Sequence, residues 1–226
     1  NDTTICFGDC ANLLVSGANN SIWESTISLN DTSITNPIAC PISTETFTAY
    51  GTSGTCSDTA QVTVTVNPLP NVSAGNDLTI CFGDTIQINA SGGISYSWSP
   101  VDSLSNTSID NPLAWPSDTT EYIVTATDVN SCSNTDTIII NVNPLPIVDA
   151  GTSTSICTGD SIQLNASGAD NYTWTPSTDL SDPNIADPFA SPSIITTYTV
   201  TGTDLNGCIN TDSITISLHN LPTATV

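Results

Sequence analysis

One segment recurs three times, and that recurrence limits the fold more than any other feature of the chain. "TICFGD" (4–9) returns as "TICFGD" (79–84) and as "SICTGD" (155–160). "YSWSP" (96–100) returns as "YTWTP" (172–176), with "SIWES" (21–25) in the matching place. Cys81 and Cys157, Trp98 and Trp174, and Cys132 and Cys208 are each 76 positions apart. Cys6 and Cys81 are 75 apart, with a one-residue gap just before Cys56. A fixed period of this size means tandem copies of one unit. The units run over 1–66, 67–142 and 143–219, joined by "NPLP" twice and "HNLP" once. Proline there favours stiff, extended connections.

Within each unit the apolar residues alternate, which is the period of a half-buried strand. Ile86, Ile88 and Ala90 form one inward set, and Ile138, Ile140 and Val142 another. The third unit keeps the phase with Ile162, Leu164 and Ala166, then Ile214, Ile216 and Leu218. No segment has a helical period. Short strands in units of this size, with Trp23, Trp98 and Trp174 on the third strand, predict an all-β chain of three tandem immunoglobulin-like sandwiches. Tyr122-Ile123-Val124 resembles the Tyr-x-Cys of that fold, with Val in place of Cys. The expected arrangement is an extended rod.

Eight cysteines without a CxxC pair point to an oxidising compartment. Each unit has one Cys before its second strand and one at the hairpin before its last. Pairing inside the units gives Cys6–Cys56, Cys81–Cys132 and Cys157–Cys208. The first unit's extra cysteines, Cys10 and Cys40, then pair by exclusion.

The chain has no Lys or Arg, one His and 22 acidic residues, a formal charge of −22. Such a surface repels phosphate and leaves no footprint for nucleic acid. Nothing apolar is long enough to span a bilayer. The opening "NDTTICFGDC" lacks the basic and apolar regions of a signal peptide, so the expectation is a mature or excised segment. Enzyme chemistry is not expected. His219 sits in a linker, no cation is present to hold an oxyanion, and Glu24, Glu45 and Glu121 occupy non-equivalent positions.

The ends of the chain match one another. Units two and three open with "PNVSAG" (70–75) and "PIVDAG" (146–151), whereas Asn1 aligns with Asn76 and Thr152. Residues 222–226 align with 70–74 and 146–150. The inward pairs Val72/Ala74 and Val148/Ala150 have their counterpart in Ala224 and Val226. One expectation is that this segment, with Pro222 at its head, is a donor strand (220–226) that completes the first unit of another copy. Opposite ends make that contact heterologous, so copies would join head to tail into a filament. The other expectation is a window of a longer repeat array, serving as the stalk or a glycan-binding segment of a surface adhesin.

The pattern ICxGD-(S/T)-I-x-(I/L)-N-A-S-G, Y-x-W-(S/T)-P, T-x-Y-x-V-T-(A/G)-T-D-x-N-x-C and NPLP resembles the Ig-like or PKD-like repeats of large Bacteroidota surface proteins. These include gliding-associated and adhesin-type proteins exported by the type IX system. The first unit departs from it at Cys10 and Ile22. The resemblance implies an extracellular or cell-surface location. It also implies O-glycosylation at Asp-(Ser/Thr)-(Ala/Ile/Leu/Val/Met/Thr) tripeptides, which places candidate glycans on Thr3, Thr59, Thr85, Ser103, Thr119, Thr137, Ser161 and Ser213.

"DVNSCSNTD" (128–136) and "DLNGCINTD" (204–212) place oxygen ligands at alternate positions, so Asp128, Asp136, Asp204 and Asp212 are candidates for Ca²⁺. The same residues also suit an ordinary hairpin turn. Trp115 has no counterpart in the other units and could meet a sugar or a neighbour. Expected partners are copies of the chain itself and surface glycans.

Overall fold

The structure is a computed structural model that describes residues 1–221, so Pro222, Ala224 and Val226 of the expected donor strand lie outside it. Its described residues form strands, turns and loops with no helix. They fall into two compact units. Among the described residues the first holds 1–76, 87–114 and 121–139, and the second 77–86, 115–120 and 140–221.

In the first repeat the strands are β1 (Thr3–Cys6), β2 (Ala11–Asn12), β3 (Asn20–Trp23), β4 (Ile38–Ala39), β5 (Glu45–Ser53) and β6 (Cys56–Asn67). They build a four-stranded sheet in the order β1-β6-β5-β3, faced by the two-stranded β2-β4. The third repeat does the same with β13 (Thr154–Cys157), β14 (Ile162–Gln163), β15 (Asn171–Thr175), β16 (Phe189–Ala190), β17 (Thr196–Thr203) and β18 (Ile209–His219). The second repeats the order β7-β12-β11-β9 with β7 (Leu78–Cys81), β8 (Ile86–Gln87), β9 (Ser95–Ser99), β10 (Leu113–Ala114), β11 (Thr120–Thr127) and β12 (Ser133–Asn143). This is the topology of an immunoglobulin-like sandwich. The chain is three of them in tandem.

Alternation fixes which residues meet inside. In the third repeat Leu164, Trp174, Tyr198, Val200, Ile214 and Ile216 close on one another with Val148 and Ala150. The first repeat closes a smaller set, with Leu13, Trp23, Phe47, Ala49 and Val64 at its centre. Trp98 and Trp174 each donate their indole N–H to a carbonyl, that of Ile109 (2.9 Å) and Ile185 (3.0 Å). The indole nitrogen of Trp23 has no partner among the described residues, although it is buried. Tyr198 is fully buried, and burial raises its hydroxyl above the usual tyrosine range.

The leading strand of each sandwich runs parallel to the last. Cys6 lies opposite Asn67, Cys81 opposite Asn143, and Cys157 opposite His219. Each then turns sharply, with Asp9, Asp84 and Asp160 donating their N–H to the cysteine carbonyl at 3.0 Å. Gly8, Gly83 and Gly159 take positive φ in that turn (95°, 91° and 96°), and nothing crowds their α-carbons. Backbone conformation, not space, requires glycine there.

Candidate functional site

Ahead of the leading strand, the second and third repeats carry an extra segment that lies in a groove. Ser73 bridges Ser91, and Asp149 bridges Ser167, each by a reciprocal pair of backbone hydrogen bonds. Two side chains of the last strand hold the segment from the other side. Asn134 and Asn210 donate to the carbonyls of Pro70 (3.1 Å) and Pro146 (3.0 Å). Asp136 and Asp212 accept from the N–H of Ala74 and Ala150, both at 2.8 Å. The approach is close enough that a Cβ on Gly92 would collide with the Asn71 carbonyl, and one on Gly168 with that of Ile147.

Gly17 is the counterpart in the first repeat. It keeps the positive φ of 93°, yet nothing among the described residues lies within 4 Å of where its Cβ would point. Ser16, matching Ser91 and Ser167, forms no bridge among the described residues. A groove of about 230 Å³ runs here, with Val15, Gly17, Ala18, Gly51, Cys56 and Ala60 among its lining residues. Asp58 and Ala60 stand where the siblings have Asn and Asp. The acceptor carboxylate is therefore replaced by a methyl group, and among the described residues the two side-chain clamps of the other repeats have no counterpart.

The anionic clamp has a testable signature. The Ala150 N–H holds the Asp212 carboxyl below the ordinary carboxylate range, with the Ser213 N–H helping. A depressed pKa means the contribution is full above the unfolded value near pH ~4 and is lost as pH falls through the folded one. Asp212→Ala is expected to cost the third repeat about 1 kcal/mol at neutral pH, since the group is partly solvated. Asp212→Asn, which keeps the acceptor, should retain most stability and lose the acid dependence. Urea unfolding at pH 7 and pH 3 checks both, and equal acid sensitivity in all three proteins would reject the assignment.

The cysteines do not pair inside the repeats. Cys6 bonds Cys132, and Cys81 bonds Cys208, each pair with its α-carbons 5.5 Å apart. Cys10 bonds Cys40. Cys56 and Cys157 are free thiols. Strand geometry explains the correction to Cys6–Cys56, Cys81–Cys132 and Cys157–Cys208. Cys157 pairs in register with His219, at the far end of β18 from Cys208. Eleven residues at ~3.3 Å each separate those ends by roughly 36 Å, far beyond the ~7 Å a disulfide tolerates. The same eleven residues separate Cys56 from Asn67 and Cys132 from Asn143. Each sandwich therefore carries its two repeat-equivalent cysteines at opposite poles, and the bonds Cys6–Cys132 and Cys81–Cys208 staple one repeat to the next.

The four candidate Ca²⁺ ligands serve as hydrogen-bond acceptors. Asp128 Oδ1 accepts from the N–H of Asn130 (2.8 Å) and Cys132 (2.9 Å), and Asp204 does the same for Asn206 (2.9 Å) and Cys208 (2.8 Å). Asp136 and Asp212 face the leading segment instead. Among the described residues, three or more potential ligands do not converge anywhere. Of the candidate glycan sites, Thr59, Thr85, Thr119, Thr137, Ser161 and Ser213 are exposed, whereas Thr3 and Ser103 are half-buried. Trp115 is exposed. No helix of the described residues is long and apolar enough to cross a membrane.

No protein-family model matches the chain, and none of the curated proteins compared is similar to it. Among solved structures, a variant of titin domains I67–I69 is 10% identical over 96% of this chain and 95% of that one, with a TM-score of 0.45. The N-terminal eight Ig domains of a Down syndrome cell adhesion molecule isoform are 15% identical over 96% of this chain and 36% of that one (TM-score 0.42). The I9–I11 tandem of titin is 11% identical over 97% of both chains (TM-score 0.37).

Proposed function

We propose that the chain is the structural subunit of an extracellular filament in which residues 222–226 of one copy lie in the first-repeat groove of the next. The observation that carries this reading is the pair Gly17 and Ser16. They retain the backbone that accommodates a leading segment in the sibling repeats, and no described residue covers them. Ala224 and Val226 match the spacing of Val148 and Ala150, which lie in the third repeat's core. Burying one Val and one Ala, with a reciprocal backbone pair at Ser16, is a modest contact by itself. Its strength comes from adding an extended strand along an existing edge. Such a subunit acts on no substrate. Its work is mechanical, in an oxidising space where its disulfides persist.

The test uses the full chain in oxidant-free buffer with its native disulfides intact, so that only non-covalent association is read. Light scattering should show concentration-dependent assemblies larger than 23.4 kDa. A synthetic peptide of sequence LPTATV should shorten them, and Ala224→Asp with Val226→Asp should abolish them. A chain that stays monomeric and ignores the peptide would overturn the proposal. So would native material whose reduced mass is several hundred kilodaltons, because a covalently preceding segment would then fill the groove.

A further inference from the structure

The two free thiols are the unmatched halves of a repeating staple. Each bonded pair joins a cysteine at the end of a leading strand to one at the hairpin opening the last strand of the following repeat. The donors are Cys6 and Cys81; the receivers are Cys132 and Cys208. Cys157 is built as a donor. It has the same register against its last strand, and the same turn follows it. The N–H of Thr158 bonds the His219 carbonyl at 3.0 Å, as Phe7 and Phe82 bond those of Asn67 and Asn143 at 2.8 Å. Cys56 is placed as a receiver, one position before the strand residue that matches Ser133.

Burial separates the receivers. Cys132 and Cys208, which are bonded, are 0% exposed, whereas Cys56 is exposed. Cys56 also lines the groove of the first repeat. In the second and third repeats, the groove that takes the leading segment belongs to the same sandwich as the receiving cysteine. Linker, groove and receiving thiol thus form one docking face.

We propose that Cys157 of one copy forms a disulfide with Cys56 of the next, so that the filament is covalent along its length. This rests on the head-to-tail reading above. The step is a two-electron oxidation and needs an external disulfide, either a small-molecule disulfide such as oxidised glutathione or an exported thiol oxidoreductase. The Cys56 thiolate attacks that disulfide, forming a mixed disulfide and releasing one thiol. The Cys157 thiolate then attacks the Cys56 sulfur and releases the second. Two protein thiols lose two electrons and two protons, and one disulfide becomes two thiols.

The experiment is oxidation of the full chain with glutathione disulfide, read by denaturing electrophoresis without reductant. The wild type is expected to give a ladder in steps of 23.4 kDa. Cys56→Ser and Cys157→Ser are each expected to stay monomeric. Mixing the two should give a dimer and nothing larger, since one thiol of each kind remains. Cleavage at Asp, which a chain without Lys or Arg requires, should yield one peptide pair joining Cys56 to Cys157. A ladder made of Cys56–Cys56 or Cys157–Cys157 links would overturn the proposal, as would thiols that stay open to alkylation in assembled material. Cys157 of native material bonded to a peptide absent from this sequence would overturn it too. Cys157→Ser in oxidant-free buffer, with the native disulfides intact, separates the two readings. Association that persists there while the wild type forms no ladder refutes the disulfide alone. Association lost in both proteins refutes the strand contact.

Discussion

Replacing Cys10 and Cys40 together by serine is expected to lower the stability of the first repeat by about 3–4 kcal/mol. The bond closes a loop with a sequence separation of 30, for which chain-entropy arguments give a figure of that size. Its position sharpens the expectation. Ala11 pairs with Ala39 across β2 and β4, so Cys10 and Cys40 form the next cross-strand pair and lock a two-residue ladder that is otherwise marginal. The first repeat has few other reserves. Its buried set is small, and among the described residues the Trp23 indole lacks the acceptor that Trp98 and Trp174 find. Hydrogen exchange at the amides of β5 and β6 reads this repeat separately from the others. A loss below 1 kcal/mol would mean that the native pairing adds little to the first sandwich.

Gly168→Ala and Gly17→Ala should differ sharply although both glycines have positive φ, 89° and 93°. Left-handed backbone costs an alanine ~1–2 kcal/mol at either site. At Gly168 the new methyl would also meet the Ile147 carbonyl, so the leading segment must move. That uncovers Val148 and Ala150, and losing a buried Val alone is worth ~1.5–3 kcal/mol. The expected total is ~3 kcal/mol or more for Gly168→Ala against ~1–2 kcal/mol for Gly17→Ala. Denaturant unfolding of the monomer with its native disulfides intact measures both. Equal costs would mean that the strand contact at Gly168 contributes nothing. In assembled material Gly17→Ala should behave like Gly168→Ala, because a donated strand would bring its own carbonyl against the methyl.

Much of the fold is legible in the sequence because alternation and repeat period act on every residue. Ile88, Ile138, Ile140, Leu164, Ile214 and Ile216, expected to point inward, are all buried. The pairing of the cysteines is not legible from the repeat alone. A period of 76 says which cysteines are equivalent, and it is silent on whether equivalents bond within a copy or between copies. The missing step was length. Eleven extended residues between Cys208 and His219 already place those residues too far apart for Cys157 to reach Cys208, once the leading strand is known to run parallel to the last. That parallel pairing is a long-range fact which local pattern does not encode. The acidic hairpin residues admit two readings for a related reason. Asp128 and Asp204 present the same oxygens to a backbone turn as to a cation, and Asp136 and Asp212 look identical in sequence to ligands while holding a segment 62 residues upstream.

The two staples also overlap along the chain. One spans Cys6 to Cys132 and the other Cys81 to Cys208, so every peptide bond between Cys6 and Cys208 is bridged by at least one disulfide. A single proteolytic cut anywhere in that interval leaves the two fragments covalently joined. Between Cys81 and Cys132 both bridges span the cut. A chain arranged in this way keeps its continuity after damage that would sever one whose disulfides stayed within each repeat.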